Sequence, residues 1–214
     1  EIIAEPDRNW SVDKILSIKD EVSRSVNGTP RGISNAKACL DKYMKKAKEL
    51  GIKPKVVVLS HSSGGRSAVK FHELVKSSGY KTDLVFSIDP VIEAHHAVGE
   101  LAQQIPGYLA AKANPFKSEE PHIPTVYPRD HGDKLYKPSN ADKWYSVYQN
   151  MDTKGLGFGP IPQGICGSVI KNADFNLYIN DFQKDGSGVI PAHGGIGYHQ
   201  KTQELFLKQM HLEF

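Results

Sequence analysis

The stretch Val56-Val57-Val58-Leu59-Ser60-His61-Ser62-Ser63-Gly64-Gly65 decides how this chain is read. The β-branched run from Lys55 to Leu59 has the character of a strand buried on both faces. It breaks into small residues. From Ser67 to Ser77 the residues Ala68, Val69, Phe71, Leu74 and Val75 then recur at helical spacing, and Gly79 closes the segment. A second buried run, Asp83-Leu84-Val85-Phe86-Ser87-Ile88, follows. Strand, helix and strand with short joints make a βαβ unit, which predicts a parallel sheet with helices on its faces.

The rest of the chain extends this α/β pattern. Ala36, Cys39, Leu40, Tyr43, Ala47 and Leu50 mark an amphipathic helix over Ser34 to Leu50, stopped by Gly51. Further strands are expected at Trp144 to Gln149 and Phe175 to Asn180, and a closing helix at Gln200 to Met210. Prolines 106, 115, 121, 124, 128 and 138 predict an irregular connection between Pro106 and Pro138. Long irregular segments inside a domain are often functional, so a lid or cleft wall is expected over about 92–140. No repeat or linker interrupts the chain, and residues 1–214 read as a single domain.

Composition narrows the function classes. The chain has 214 residues, 39% hydrophobic and 24% charged, as expected for one globular domain. A net charge of +3 with no long basic stripe argues against nucleic acid as partner. The densest cluster, Lys42 to Lys48 between Asp41 and Glu49, reads as a solvated helix face. Two cysteines, Cys39 and Cys166, make neither a disulfide framework nor a zinc site, and they leave the compartment open. No apolar run approaches the ~20 residues that would give a transmembrane segment. A chain opening on Glu1 implies a piece upstream, a cleaved signal peptide being one reading.

The chemistry lies at the joint between the first strand and its helix. A serine at such a sharp turn sits in a strained backbone position, and the residues two before and two after must be small. Ser60 and Gly64 satisfy this around Ser62, which is the arrangement of a nucleophile elbow. The helix start behind Ser62 offers backbone N–H groups, and the Ser63 N–H is the expected first donor of an oxyanion hole. Ser63 itself is the rival nucleophile. A serine needs a base, and the base an orienting carboxylate, in the chain order serine, acid, histidine. Asp89 leaves the sheet one strand over from Ser62, at the same edge, and Pro90 turns the chain away. Asp152 is the competing acid. His193, ahead of Gly194, Gly195 and Gly197, is the expected base, those glycines freeing its loop, and His199 is second choice. His211, His72, His95, His96, His122 and His131 carry no matching context, and His61 reads as a locally bonded residue of the elbow. Asp181, Asp185 and Gly186 resemble a calcium loop, but Gln183 and Ala192 stand where ligands are required, so no metal is expected.

These motifs together resemble the α/β-hydrolase superfamily. Ser60-His61-Ser62-Ser63-Gly64-Gly65 is similar to the lipase and esterase elbow G-H-S-x-G-G, with serine for the first glycine. Ile88-Asp89-Pro90-Val91 resembles the L-D-P-A segment of pancreatic-type lipases, in which the acid follows the strand after the elbow helix; this ranks Asp89 above Asp152. The His193-Gly194-Gly195-Ile196-Gly197 segment resembles the histidine loop of bacterial lipase-like effectors. Members usually have earlier strands, including one bearing a second oxyanion donor. Here Ile2 to Asp7 is either the strand ahead of the elbow unit, leaving the sheet incomplete at its N-terminal side, or part of a minimal cutinase-like sheet. In the minimal sheet, Glu5 to Trp10 would supply that donor.

The resemblance implies a serine esterase, with a small-molecule or lipid ester as substrate and no cofactor. Ile92 to Leu109, with Val98, Leu101, Ala102 and Ile105, would be an apolar flap over an acyl chain. Thioesterase, peptidase, acyltransferase and a non-catalytic binding domain are the alternatives.

Overall fold

Alternation between two buried faces explains the central sheet. A computed structural model of the chain describes residues 30–92, 94–116, 121–126, 133–149, 164–182 and 192–213. The elements are α1 (Pro30–Glu49), β1 (Val57–His61), α2 (Gly64–Lys76), β2 (Thr82–Ile88), α3 (Ala94–Lys112), β3 (Thr125–Val126) and β4 (Ala141–Tyr148). Then come β5 (Gly164–Ile165), β6 (Phe175–Tyr178), the short turn α4 (Ala192–Gly195) and α5 (Gln200–Glu213), with a 3₁₀ turn at Ile196–Tyr198 between α4 and α5. The main sheet has the order β1-β2-β4-β6 with every pair parallel. β3 and β5 form a separate parallel pair. The molecule is thus an α/β fold with a mostly parallel sheet flanked by helices.

Register puts the apolar side chains to use. Val85 pairs with Trp144, and both join Ala68 and Val69 of α2 in one core cluster. Their neighbours Phe86, Ile88 and Val147 project into a second cluster with Ile179 and Ile196, against which Leu205 and Phe206 of α5 pack. Successive strand residues point to opposite faces, so β2 and β4 must be apolar on both.

The sequence reading and the structure differ in places. β1 lies two residues further along than Lys55 to Leu59, and β4 starts earlier than Trp144. The stretch from Pro106 is not irregular throughout, because Pro106 lies inside α3. Proline forfeits one backbone hydrogen bond, but the surrounding Leu, Ala and Gln residues favour a helix. Of the apolar residues expected to form a flap on this segment, Leu101 is buried, Ile105 is half-buried and Ala102 and Leu109 are exposed. Lys42, Lys45, Lys46 and Lys48 lie on the solvated side of α1. Neither cysteine forms a disulfide; Cys39 is exposed and Cys166 buried. Among the described residues, no helix is long and apolar enough to cross a membrane. Ile2 to Asp7, Glu5 to Trp10, His131 and Asp152 lie outside the described residues, as do the side chains of His95, His96 and Val98.

Candidate active site

Ser62 occupies the sharp turn between β1 and α2. Its φ is 57°, in the left-handed region that costs a residue with a Cβ about 1–2 kcal/mol. Three backbone hydrogen bonds hold it there. Its N–H donates to the Ile88 carbonyl (3.0 Å), and its own carbonyl accepts from Gly65 (2.9 Å) and Val91 (3.0 Å). Two of these partners flank Asp89, so the serine turn and the end of β2 are tied together. Ser60 fills the place of the usual first glycine. Its hydroxyl lies 2.9 Å from that of Ser87, which in turn accepts from Trp144 Nε1 at 2.9 Å. Gly65 shows why the elbow demands small residues: a Cβ there would lie 2.4 Å from Pro90 Cβ.

Asp89 also has a positive φ, 45°, and its N–H donates to the Val147 carbonyl at 2.7 Å. Its carboxylate is fully buried and accepts three hydrogen bonds. The Gln149 backbone N–H reaches Oδ1 at 3.0 Å, Gln149 Nε2 reaches Oδ2 at 2.8 Å, and His193 Nδ1 reaches Oδ2 at 2.5 Å. A buried charge is tolerable only when so satisfied. Gly167 closes the other side, where a Cβ would stand 1.9 Å from Asp89 Oδ1.

His193 comes from α4. The turn is anchored by Ala192 and Ile196, both fully buried. Because Nδ1 faces a carboxylate, it carries the proton. The other nitrogen, Nε2, then accepts from the Ser62 hydroxyl at 2.8 Å. Ser62 is half-buried, whereas His193 and Asp89 are buried, so the line runs from a reachable hydroxyl into the protein interior. Ser63 opens α2 behind the serine with φ −59° and ψ −14°, where its N–H belongs to the positive end of the helix.

The structure therefore brings Ser62, His193 and Asp89 together and places the rival base, His199, elsewhere, while Asp152 lies outside the described residues. His199 ends the 3₁₀ turn and lies 3.3 Å from Asp181 Oδ1, with its ring against Phe182. His211 is exposed near the end of α5 and His122 is exposed as well, while His72 is wholly buried. Asp181 pairs with Lys201 at 2.6 Å, and that lysine lowers its pKa. Asp185 and Gly186 lie outside the described residues. Among the described residues, no group of three His, Cys, Asp or Glu is placed to hold a metal ion.

Sequence reasoning missed two residues here and misjudged a third. Gln149 and Gly167 form the walls of the Asp89 site; only the register of β2 with β4 would have revealed Gln149. His61 bonds at long range: its Nε2 donates to the His193 carbonyl at 3.1 Å, and the two rings lie 5.1 Å apart. Comparison with protein-family models, curated proteins and solved structures finds no match to this chain.

Proposed function

We propose that the chain is a serine hydrolase of the α/β-hydrolase type, cleaving a carboxylic ester, lipid esters included, through a covalent acyl-enzyme. The observation that carries this reading is the line of hydrogen bonds from Ser62 Oγ through His193 to Asp89, at 2.8 and 2.5 Å. Nucleophile, base and orienting acid are each within hydrogen-bonding reach of the next, as a triad needs. The strained serine turn at the head of a helix adds to the case.

In the first half-reaction Ser62 Oγ attacks the carbonyl carbon while His193 Nε2 takes its proton. The imidazolium so formed is stabilised by Asp89 through Nδ1–H. Negative charge on the former carbonyl oxygen faces the Ser63 N–H and the positive end of α2. The ester C–O bond then breaks, and His193 returns the proton to the departing alkoxide. Water, deprotonated by the same nitrogen, attacks the acyl carbon, and as the bond to Ser62 Oγ breaks His193 returns that proton to Oγ, releasing the acid.

A fluorophosphonate probe tests this directly. The folded wild-type chain should be labelled at neutral pH, and Ser62→Ala should not. An unlabelled wild type sinks the reading in favour of a non-catalytic binding domain. A series of p-nitrophenyl esters then reads acyl-chain preference, and an added alcohol that outcompetes water would identify an acyltransferase.

A further inference from the structure

We propose that Gln149 is the positioning residue of this site: its side-chain amide and backbone N–H fix the Asp89 carboxylate so that Oδ2 faces His193. The inference rests on the hydrolase reading, which it deepens. Gln149 is the first residue past β4 and is fully buried. Its amide orientation is determined by its neighbours, since Nε2 lies 2.8 Å from Asp89 Oδ2 and 2.8 Å from the Ile165 carbonyl. Both neighbours can only accept, so the nitrogen, with its two hydrogens, must stand there. The backbone N–H takes Oδ1 at 3.0 Å. One residue thus holds both carboxylate oxygens.

The geometry explains why this clamp matters. A carboxylate can rotate about its Cβ–Cγ bond, and Oδ2 must accept from His193 at 2.5 Å while Gly167 crowds Oδ1. Anchoring the amide to Ile165 links the acid to β5, a strand outside the main sheet. Among the described residues, the titratable groups brought to this carboxylate are His193 directly and, beyond it, His61.

Two near-isosteric substitutions test the role in the full-length chain. Gln149→Met keeps the backbone donor and volume but removes Nε2. It should lower kcat for a p-nitrophenyl ester about ten- to a hundredfold, the worth of one hydrogen bond to a buried charge, with KM little changed. Gln149→Glu places a second carboxyl against Asp89. The pair must share a proton, so activity near wild type at low pH should fall on an alkaline limb absent from the wild type. Proton NMR supplies a readout independent of turnover: the downfield Nδ1–H resonance of His193 should shift or broaden in the Met variant. A folded Gln149→Met enzyme with wild-type kcat, pH profile and resonance overturns the proposal. If the wild type shows the resonance but neither turnover nor probe labelling, the hydrolase reading falls. An unchanged resonance in the variant would then refute the clamp separately.

Discussion

Asp89 concentrates what is unusual in this molecule. It is a fully buried carboxylate on a left-handed backbone, touched on one side by Gln149 and His193 and on the other by Gly167. A methyl group at position 167 would stand 1.9 Å from its Oδ1, far inside van der Waals contact, so the carboxylate would have to move. Gly167→Ala should therefore cost about 1–3 kcal/mol of stability and, through a displacement near 1 Å, about a hundredfold in ester hydrolysis. Urea unfolding and kcat/KM check the two parts, and an active, stable Gly167→Ala enzyme would contradict this packing. The place of Asp89 at the sheet edge was legible in the sequence, because Ile88-Asp89-Pro90 ends a buried strand beside the one that leads into Ser62. Its partners were not. Nothing in a lone glycine or glutamine discloses a contact 60 residues away, as between Gln149 and Asp89.

At the scale of elements, the site depends on how closely α2 approaches the end of β2. The Ser62 N–H bonds to Ile88, and the Val91 N–H bonds back to the Ser62 carbonyl, so the two turns are laced together. Gly65 permits this, since a Cβ there would meet Pro90 Cβ at 2.4 Å and Pro90 Cα at 3.0 Å. Backbone cannot step aside as a flexible side chain can. Gly65→Ala is expected to push the helix start off the strand, separating Ser62 from Asp89. Loss of fluorophosphonate labelling, with a destabilisation of about 1–3 kcal/mol, is the expected outcome. Labelling at the wild-type rate would mean the approach is not needed. The βαβ unit was readable because two continuous apolar runs of strand length bracket a segment whose apolar residues recur at a 3.6-residue period. α3 was not, because Pro106 outweighed the helix-favouring residues around it, although the helix accommodates a missing donor.

Across the whole molecule, the proposed site lies at one edge of the sheet, while the core holds a histidine whose burial disfavours its charged form. His72 is wholly buried in α2, with Nδ1 bonding to the Ala68 carbonyl (2.7 Å), Nε2 to the Thr82 hydroxyl (2.7 Å) and its ring beside Trp144. Burial penalises the charged imidazolium and so lowers the pKa of His72 below its ordinary value. The unfolded chain binds a proton here that the folded one refuses. The stabilisation is therefore complete above the ordinary imidazole value of about 6.5. It is lost as pH falls below that value, at up to about 1.4 kcal/mol per pH unit until the folded imidazole itself titrates. Urea midpoints between pH 7.5 and 5.5 should fall more steeply for the wild type than for His72→Gln, whose amide has no proton to gain. Parallel slopes would remove His72 as the cause. The sequence placed His72 on α2 without a role, because a histidine one turn from Ala68 looks the same whether it faces water or Trp144. Only the packing of α2 against β2 and β4 turns it inward, while the pairing of β1 with β2 brings Ser62 to the edge where Asp89 and His193 meet it.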